Sequence, residues 1–366
     1  MRGTRLLAFF VLYRYIPHNA LLYCVSPAVA VADAADTIQT LTQRGRRKQR
    51  QMKILVTGGA GFIGSHLIER LLAMRHSVRV LDNLSTGKRA NLPQHDTLEF
   101  IQGDVGDNAT VVDAIQGVQA VVHLAAVASV QASIDDPLAT HRSNFDGTLN
   151  LLEAARAAGV ERFLYASSAA VYGDTTALPV AEDTPLNPLS PYAADKLAGE
   201  HYLRYYFNKH GLKGTAFRFF NIYGPRQDPS SPYSGVISIF VERLRQAKPV
   251  ILFGDGRQTR DFVYVGDLAD LLAASLTRPA LAGRVVNVGT GVESSLLQLL
   301  EVLESLSGRT LERRHDAARI GDIVRSCADV TNLRALAGQV PATPIHQGLR
   351  SLLTAMGLSV AGTVRA

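Results

Sequence analysis

The sequence lacks tryptophan, and its 366 residues include only two cysteines, Cys24 and Cys327. The region after Met52 therefore holds a single cysteine and cannot form a disulfide within itself. This cysteine usage is typical of a reducing compartment, and we expect a cytoplasmic protein. The same region lacks an apolar run of about 18 residues, which argues against a membrane-spanning segment there.

A basic excess is present only at the amino terminus. The formal net charge is +6, with 38 Lys and Arg against 32 Asp and Glu. Residues 1–51 hold eight of the basic and two of the acidic side chains, which leaves 30 of each in 52–366. Because the body is formally neutral, the sequence does not support a basic groove for nucleic acid.

The first 51 residues have a composition of their own. The apolar run LLAFFVLY (6–13) and a small-residue stretch (28–35) match a secretory signal superficially, but Arg14 interrupts the pattern. A strand-like segment then begins with Met52. We expect residues 1–51 to lie outside the fold, as an extension created by a start codon assigned upstream of Met52. A leader for export and an organellar presequence are the alternatives.

Short apolar runs alternate with helical patterns along the body, which predicts an α/β protein with a doubly wound, Rossmann-like parallel sheet. We place a Rossmann domain at 52–221 and a smaller C-terminal α/β lobe for substrate at 222–366, where loops rich in Pro, Gly and Ser begin. Strands are predicted at 53–58, 77–83, 98–104, 119–126, 162–168 and 215–221. Helices are predicted at 66–75, 107–116, 138–157 and 191–209.

A glycine pattern follows the first predicted strand and begins a helix. Gly58, Gly61 and Gly64 allow a tight turn, close approach of a pyrophosphate and close packing of the helix on the sheet. Asp82 ends the second strand 18 residues later, where a carboxylate binds ribose hydroxyls. This carboxylate would repel a 2′-phosphate, so the pattern predicts NAD rather than NADP. A turn used for packing alone is the alternative.

A tyrosine and a lysine lie four residues apart in PYAADK. Ser190 and Pro191 suit the start of a helix that carries Tyr192 and Lys196 on one face. An ammonium group beside a phenol favours the phenolate, so Tyr192 is a candidate acid and base near neutral pH. Ser168, at the end of the strand 162–168, is placed to bond the same reacting oxygen. Taken alone, the Tyr–Lys pair would also suit an amphipathic helix surface.

Several further motifs occur in order and complete a resemblance. They are TGGAGFIGSHL, DNLSTG, GDV, HLAA, SSAAVYG, YxxxK and RFFNIYGPRQ. Together they resemble the extended short-chain dehydrogenase/reductases, specifically the nucleotide-sugar 4-epimerases of the UDP-glucose and UDP-N-acetylglucosamine type. The resemblance covers 52–357 and none of 1–51.

The resemblance implies site residues where the motifs match. The implied catalytic set is Ser168, Tyr192 and Lys196. The implied NAD contacts, beyond the three glycines, are Phe62, Ile63, Asp82, Asn83, Thr86, Gly87, Asp104, Val105, Leu124, Ala125, Asn144, Ser167, Tyr192, Lys196 and Phe219. The implied contacts with the nucleotide sugar are Ser168, Asn221, Val236, Phe253, Arg260, Arg319, Asp322 and Ser326. No metal is implied.

Two of these positions suit a diphosphate, because the guanidinium groups of Arg260 and Arg319 bind phosphate oxygens in pairs. An ordinary surface ion pair is the alternative for either arginine. The 4-epimerases commonly carry lysine where this chain has Ala128, so no cofactor contact is assigned there.

The segment after Ser168 distinguishes related activities. Dehydratases that resemble this chain carry Asp-Glu there, and decarboxylases tend to place Glu at the second position; this chain has Ala169 and Ala170. Elimination and decarboxylation therefore lack their acid and base. The resemblance thus implies epimerisation at C4 through a transient 4-keto sugar, with NAD regenerated in each turnover.

The sugar is indicated by Ser326 and by the segment GPRQDPSSPYSGVISIF (224–240), which resembles the branch of the family that accepts N-acetylhexosamines. In the family, a bulky aromatic residue at the position of Ser326 restricts the sugar pocket, whereas a small residue admits an N-acetyl group. We expect UDP-GlcNAc and UDP-GalNAc as substrates, together with UDP-Glc and UDP-Gal or C6-carboxylated sugars. A surface serine without a role is the alternative.

Two other functions remain open: a nucleotide-sugar reductase or dehydrogenase that consumes NAD(P), and a noncatalytic dinucleotide-binding relative. The sequence shows no HExxH motif or clustered cysteines for a metal and no G-x-S-x-G elbow of a hydrolase. The resemblance implies a homodimer formed through helices 138–157 and 191–209.

Overall fold

The computed structural model describes residues 51–229, 235–318 and 323–360. The predictions for residues 1–50, including a leader or an upstream start, lie outside the described residues. Within the described ranges, no helix is both long and apolar enough to cross a bilayer. The same ranges contain no group of three His, Cys, Asp or Glu side chains arranged to hold a metal ion.

Seven parallel strands form the central sheet, as the alternation of strand and helix patterns predicted. The strands are β1 (Lys53–Thr57), β2 (Ser77–Asp82), β3 (Leu98–Gln102), β4 (Ala120–His123), β5 (Arg162–Ser168), β6 (Gly214–Phe219) and β10 (Arg284–Val288). Their order across the sheet is β10-β6-β5-β4-β1-β2-β3, in which the first six strands of the chain follow the dinucleotide-binding order.

Apolar side chains cover both faces of this sheet, because successive residues of a strand point to opposite sides. Ile54 and Val56 pack on one face, with the helices Phe62–Ala73 and Val265–Ser275. Leu55 packs on the other face, with the helices Asn108–Ala114, Gly147–Ala157 and Pro191–His210. Burial on both faces explains why the strand sequences are continuously apolar rather than alternating.

The helix predicted over 138–157 is present as a rod over 137–157 that contains a π-helical turn, and a separate short helix precedes it. Helices Val130–Asp135 and Pro137–His141 precede a π-helical turn at Arg142–Asp146, and Gly147–Ala157 continues the rod. Asp136 caps Pro137–His141 and Pro137 begins it, which separates the rod from Val130–Asp135 and sets its start one residue before the predicted one. The other elements agree with the predicted spans to within a few residues.

The second half of the chain builds smaller sheets and an apolar core of its own. β7 (Asn221–Tyr223), β9 (Thr259–Tyr264) and β11 (Glu293–Ser295) form one sheet, and β8 (Val250–Phe253) pairs with β12 (Arg313–Asp316). Phe240, Leu300 and Leu353 lie in the core between the helices. These helices are Val236–Arg245, Leu296–Ser307 and Ile345–Ala355, and a further helix, Thr331–Ala337, packs beside β10. Because β10 returns to the central sheet, the two halves share one framework.

Candidate active site

A glycine turn joins β1 to the first helix. Gly58 has φ of +68°, and a Cβ atom there would lie 2.7 Å from the backbone nitrogen of Ala125. A Cβ atom on Gly64 would lie 2.3 Å from the Gly58 carbonyl oxygen. Gly61 begins the helix without a side-chain cap, so the first-turn N–H groups receive no side-chain acceptor from that residue. Such a helix start binds anions, phosphate in particular.

A carboxylate lies beside this turn at the end of β2. Asp82 is 7% exposed; its Oδ2 accepts a hydrogen bond from Ala60 N at 2.9 Å, and its Oδ1 accepts one from Leu84 N at 2.8 Å. Each carboxylate oxygen can accept more than one hydrogen bond, so acceptor capacity remains for ribose hydroxyls. Asn83 donates to Asp104 at 2.7 Å and extends this polar rim to the end of β3.

The segment after β4 forms the opposite wall. Leu124 and Ala125 line the cavity, and the side chain of Asn144 holds the next turn in place. Its Oδ1 accepts from Val127 N at 2.8 Å, and its Nδ2 donates to Val127 O at 3.2 Å. Asn144 is itself buried within the π-helical turn, so it shapes the wall without facing the cavity. Such turns inside helices are frequent at functional sites.

The three predicted catalytic residues come together at the ends of β5 and the Pro191–His210 helix. The Ser190 side chain caps this helix by accepting from Ala193 N at 3.2 Å, as predicted. Tyr192 is half-buried, and Lys196 is 3% exposed with its Nζ 5.9 Å from the Tyr192 ring centre. Ser168 lies at the carboxyl end of β5 and accepts from Ala170 N at 3.1 Å.

The electrostatics of this group differ from the expectation in one respect. Burial raises the pKa of Tyr192, and a hydrogen bond with Ser168 opposes that shift. Burial also lowers the pKa of Lys196 to about 8, while the Asp195 carboxylate opposes that shift. Lys196 Nζ donates to the Ala166 carbonyl oxygen at 2.8 Å, so its ammonium group is directed partly to the backbone of β5. In the chain alone, desolvation of Tyr192 therefore outweighs the hydrogen bond with Ser168, and the pKa of the phenol lies above its usual value rather than below it.

One cavity of about 520 Å³ connects the glycine turn, the β2 and β3 ends and the catalytic group. Most of the predicted residues line it. They are Gly58, Gly61, Phe62, Ile63, Gly64, Asp82, Asn83, Thr86, Asp104, Val105, Leu124, Ala125, Ser167, Ser168, Tyr192, Lys196, Phe219, Asn221 and Val236.

The remaining predicted residues are not among the described cavity lining. Gly87 lies beside the Asp82 carboxylate, and Asn144 lies behind the Val127 wall. Phe253 ends β8, and Ser326 is half-buried further along the chain. Arg260 lies on β9 and its Nη1 donates to the carbonyl oxygen of Ile323 at 2.6 Å. Arg319 and Asp322 lie outside the described residues.

A buried ionic network that no sequence motif predicted lies next to the catalytic group. Arg218, on β6, binds Glu200 through two bonds, Nε to Oε1 at 2.9 Å and Nη2 to Oε2 at 2.7 Å. Ser167 donates to the same carboxylate, and Arg218 Nη1 donates to the Tyr172 hydroxyl at 2.8 Å. Two signals in the sequence were available. Arg218 is a charged residue inside an apolar strand, and Glu200 is an acid one helical turn after Lys196. The network joins β5, β6 and the catalytic helix.

Comparisons with known proteins identify the family. The model of the NAD-dependent epimerase/dehydratase family matches residues 54–289. The UDP-glucose 4-epimerase of Mycolicibacterium smegmatis is 43% identical over 303 residues, covering 81% of this chain and 96% of that protein. The chain belongs to the NAD-dependent epimerase/dehydratase family.

Two solved structures agree with this assignment to the epimerase/dehydratase family. The UDP-glucose 4-epimerase of Thermus thermophilus, in complex with NAD, is 41% identical with a TM-score of 0.77, covering 86% of this chain and 100% of that one. The UDP-N-acetylglucosamine 4-epimerase of Methanobrevibacter ruminantium, in complex with UDP-N-acetylmuramic acid, is 34% identical with a TM-score of 0.81, covering 84% and 99%.

NAD is the cofactor of this epimerase/dehydratase family, and the site is compatible with it. The glycine turn permits close approach to the backbone, the helix beginning at Phe62 receives no side-chain cap from Gly61, and Asp82 retains acceptor capacity. A carboxylate at the end of β2 also opposes the 2′-phosphate of NADP by charge repulsion.

Proposed function

We propose that this protein epimerises UDP-hexoses at C4, with UDP-GlcNAc and UDP-GalNAc as the preferred pair and UDP-Glc and UDP-Gal as a second pair. One observation carries the proposal. Ser168, Tyr192 and Lys196 share a cavity whose only carboxylates, among its described lining residues, are Asp82 and Asp104. Both lie at the cofactor side, beyond β2 and β3, so the reacting end offers hydroxyls and an ammonium but no extra acid for elimination.

The residues that would contact NAD and those that would contact the nucleotide sugar come mainly from different parts of the chain. Residues 52–221 supply the groups that would hold NAD, and 222–366 mainly those that would hold the nucleotide sugar. Asn221 and Val236 lie where the cavity reaches this second part, and Arg260 with Arg319 would bind the diphosphate. Phe253, Asp322 and Ser326 complete the proposed contacts.

The catalytic residues act on a single hydroxyl proton. Tyr192 takes the C4 hydroxyl proton at its phenol oxygen during oxidation and returns it during reduction, while Ser168 hydrogen-bonds the same oxygen. Lys196 holds the carboxyl end of β5 through Ala166 and presents positive charge behind the phenol. The chemistry that NAD would supply in this site is a hydride acceptor and donor for C4. Because burial raises the pKa of Tyr192, we expect the phenolate to form only in the loaded site.

Proton NMR of the sugar tests the reaction directly. The purified full chain is incubated with UDP-GlcNAc and separately with UDP-Glc, without added NAD, and the configuration at C4 is followed. UDP-GalNAc formed from UDP-GlcNAc is the expected result. Conversion of UDP-Glc alone would keep the mechanism and exclude the N-acetyl assignment. No conversion of either sugar, even with NAD added, would overturn the proposal.

A net reductase or dehydrogenase is the alternative that the same residues permit. It would accumulate or consume reduced cofactor in proportion to product, whereas an epimerase returns each hydride. Absorbance of the reduced nicotinamide during the incubation distinguishes the two. A steady signal proportional to product would favour the alternative.

We also propose a cytoplasmic homodimer. Three neighbouring helices expose apolar side chains on one side of the protein: Ile134 is 53% exposed, Leu138 83% and Tyr205 51%. Burial of such a patch against a second copy would remove it from water. Sedimentation of the full chain, compared with a Leu138→Glu variant, tests this. A wild-type monomer would contradict it.

A further inference from the structure

A buried histidine links two threonines behind the cofactor side of the cavity. His123, the last residue of β4, is 1% exposed. Its Nδ1 lies 2.7 Å from Thr57 Oγ1, and its Nε2 lies 3.0 Å from Thr148 Oγ1. Both threonines are buried as well. None of the three is among the described residues that line the cavity.

The direction of each hydrogen bond follows from proton counting. The Thr148 hydroxyl lies 2.5 Å from the Asn144 carbonyl oxygen, which can only accept, so Thr148 donates its single proton there and accepts from His123 Nε2–H. The Tyr165 hydroxyl is a further hydrogen-bond partner of Thr148. In a neutral ring Nδ1 then carries no proton and accepts from the Thr57 hydroxyl. Thr57 Oγ1 in turn accepts from Ala125 N–H at 3.3 Å. Burial, helped by the charge of Lys196, lowers the pKa of His123 to about 3, which keeps the ring neutral.

Both ends of this chain of hydrogen bonds reach the segment 124–127, which follows β4. At one end, Ala125 is held through Thr57. At the other end, Asn144 accepts from Thr148 and brackets Val127 through its side chain. Residues 124–127 line the cavity beside the glycine turn. The backbone of this wall is also held by Leu124 N–H, which donates to the Thr57 carbonyl oxygen at 3.2 Å, and the imidazole ring joins its two side-chain anchors, Thr57 and Thr148.

We propose that His123 is a positioning residue for the cofactor, which fixes the Leu124–Val127 wall through a one-directional hydrogen-bond chain from Ala125 N–H to the Asn144 carbonyl. The proposal rests on the proposed placement of NAD in this cavity. His123 touches no reacting atom, so its effect is on cofactor affinity rather than on the chemical step. Disrupting the hydrogen bonds of His123 is therefore expected to weaken NAD binding and to leave the KM for the sugar unchanged at saturating NAD.

Two isosteric substitutions, one in the hydrogen-bond chain and one outside it, test the proposal. Thr148→Val removes the acceptor for His123 Nε2–H, the donor to Asn144 and a hydrogen bond with Tyr165. Thr215→Val is the matched control, because Thr215 is also fully buried and its hydroxyl donates to the Leu281 carbonyl at 2.8 Å. Thr215 is not among the described lining residues. NAD dissociation constants are measured by calorimetry on the full chain depleted of NAD, together with the unfolding midpoint of each ligand-free variant.

We expect Thr148→Val to weaken NAD binding about three- to tenfold, the equivalent of one buried hydrogen bond. Thr215→Val should stay within about twofold of wild type at a comparable loss of midpoint. His123→Phe should weaken NAD at least as much as Thr148→Val. His123→Asn should recover part of the affinity, because its amide oxygen can accept from Thr57 where Nδ1 did.

Three results would count against the positioning role of this hydrogen-bond chain. Equal NAD affinity in Thr148→Val and Thr215→Val, or wild-type affinity in His123→Phe, would overturn the positioning role and leave the cofactor site intact. A wild-type chain that binds no NAD would overturn the proposed cofactor site and this inference with it.

Discussion

The two ends of the cavity are assembled differently. At the cofactor end, the lining residues directly follow the strands β1 to β5, and the Asp82 carboxylate bonds Ala60 and Leu84 close by. At the end proposed for the sugar, Arg260 reaches a carbonyl oxygen 63 residues further along the chain. Parallel topology brings strand ends together by itself, whereas the second end depends on contacts between segments distant in sequence.

A buried carboxylate shows what holds the second end together. Asp261 is fully buried on β9 and accepts hydrogen bonds from the backbone nitrogens of Thr290, Gly291 and Ala328. Separate segments of the chain thus meet at one side chain. Local motifs can therefore specify the cofactor end, whereas the end proposed for the sugar depends on buried polar side chains whose partners no short motif reveals.

The largest expected effect is on the chemical step, at the catalytic group between the cofactor end and the end proposed for the sugar. Tyr192→Phe removes the hydroxyl that transfers the C4 proton and leaves the ring in place. We expect kcat to fall on the order of 10³-fold with NAD and sugar affinities near wild type. NMR turnover and calorimetry check this. A loss of less than tenfold would remove Tyr192 from the proton transfer.

The next effect concerns the ionic network between β6 and the catalytic helix. Glu200→Ala would leave Arg218 buried without its carboxylate, which costs on the order of 3–5 kcal/mol of the free energy of unfolding. Glu99→Ala is the matched control, since Glu99 pairs with Lys53 and Arg79 at the surface and should cost at most about 1 kcal/mol. Urea unfolding compares the two variants. Equal losses would show that the buried pair does not fasten the catalytic helix.

The sequence was sufficient for the sheet, the glycine turn and the Tyr192–Lys196 pair, because each depends on residues close together in the chain. It did not predict the π-helical turn, since the bonds from Asn144 to Val127 join residues on different elements. The direction in which the Tyr192 pKa is shifted also escaped prediction. The sequence shows a lysine four residues away, but it does not show that burial raises the phenol pKa while Lys196 donates to Ala166.

A third prediction examines the cofactor end through pH. The pKa of His123 is lowered from 6.5 to about 3 by burial, so between these values the unfolded chain binds a proton that the folded chain excludes. The free energy of unfolding must therefore fall as pH falls through this window, by roughly 2 kcal/mol at pH 5 through this group. His123→Asn should lose that much less between pH 7.5 and pH 5 in urea unfolding. An equal loss in both proteins would show that His123 accepts the proton without unfolding.

The smallest effect examines the end proposed for the sugar. Ser326→Tyr tests whether the position restricts the group at C2, although Ser326 is not among the described residues that line the cavity. Discrimination by the size of an apolar pocket amounts to roughly 1–3 kcal/mol, so we expect kcat/KM for UDP-GlcNAc to fall about 10- to 100-fold. The kcat/KM for UDP-Glc should change by less than about threefold, because glucose carries only a hydroxyl at C2.

The ratio of the two substrates is the informative quantity, because a general disturbance of the lobe lowers both rates together. Ser326→Ala serves as the matched control, since it removes the hydroxyl without adding bulk and should leave the ratio unchanged. If Ser326→Tyr lowers both kcat/KM values equally, the position does not select the sugar. Selection of the sugar would then depend on residues that line the cavity near Asn221 and Val236, at the end proposed for the sugar.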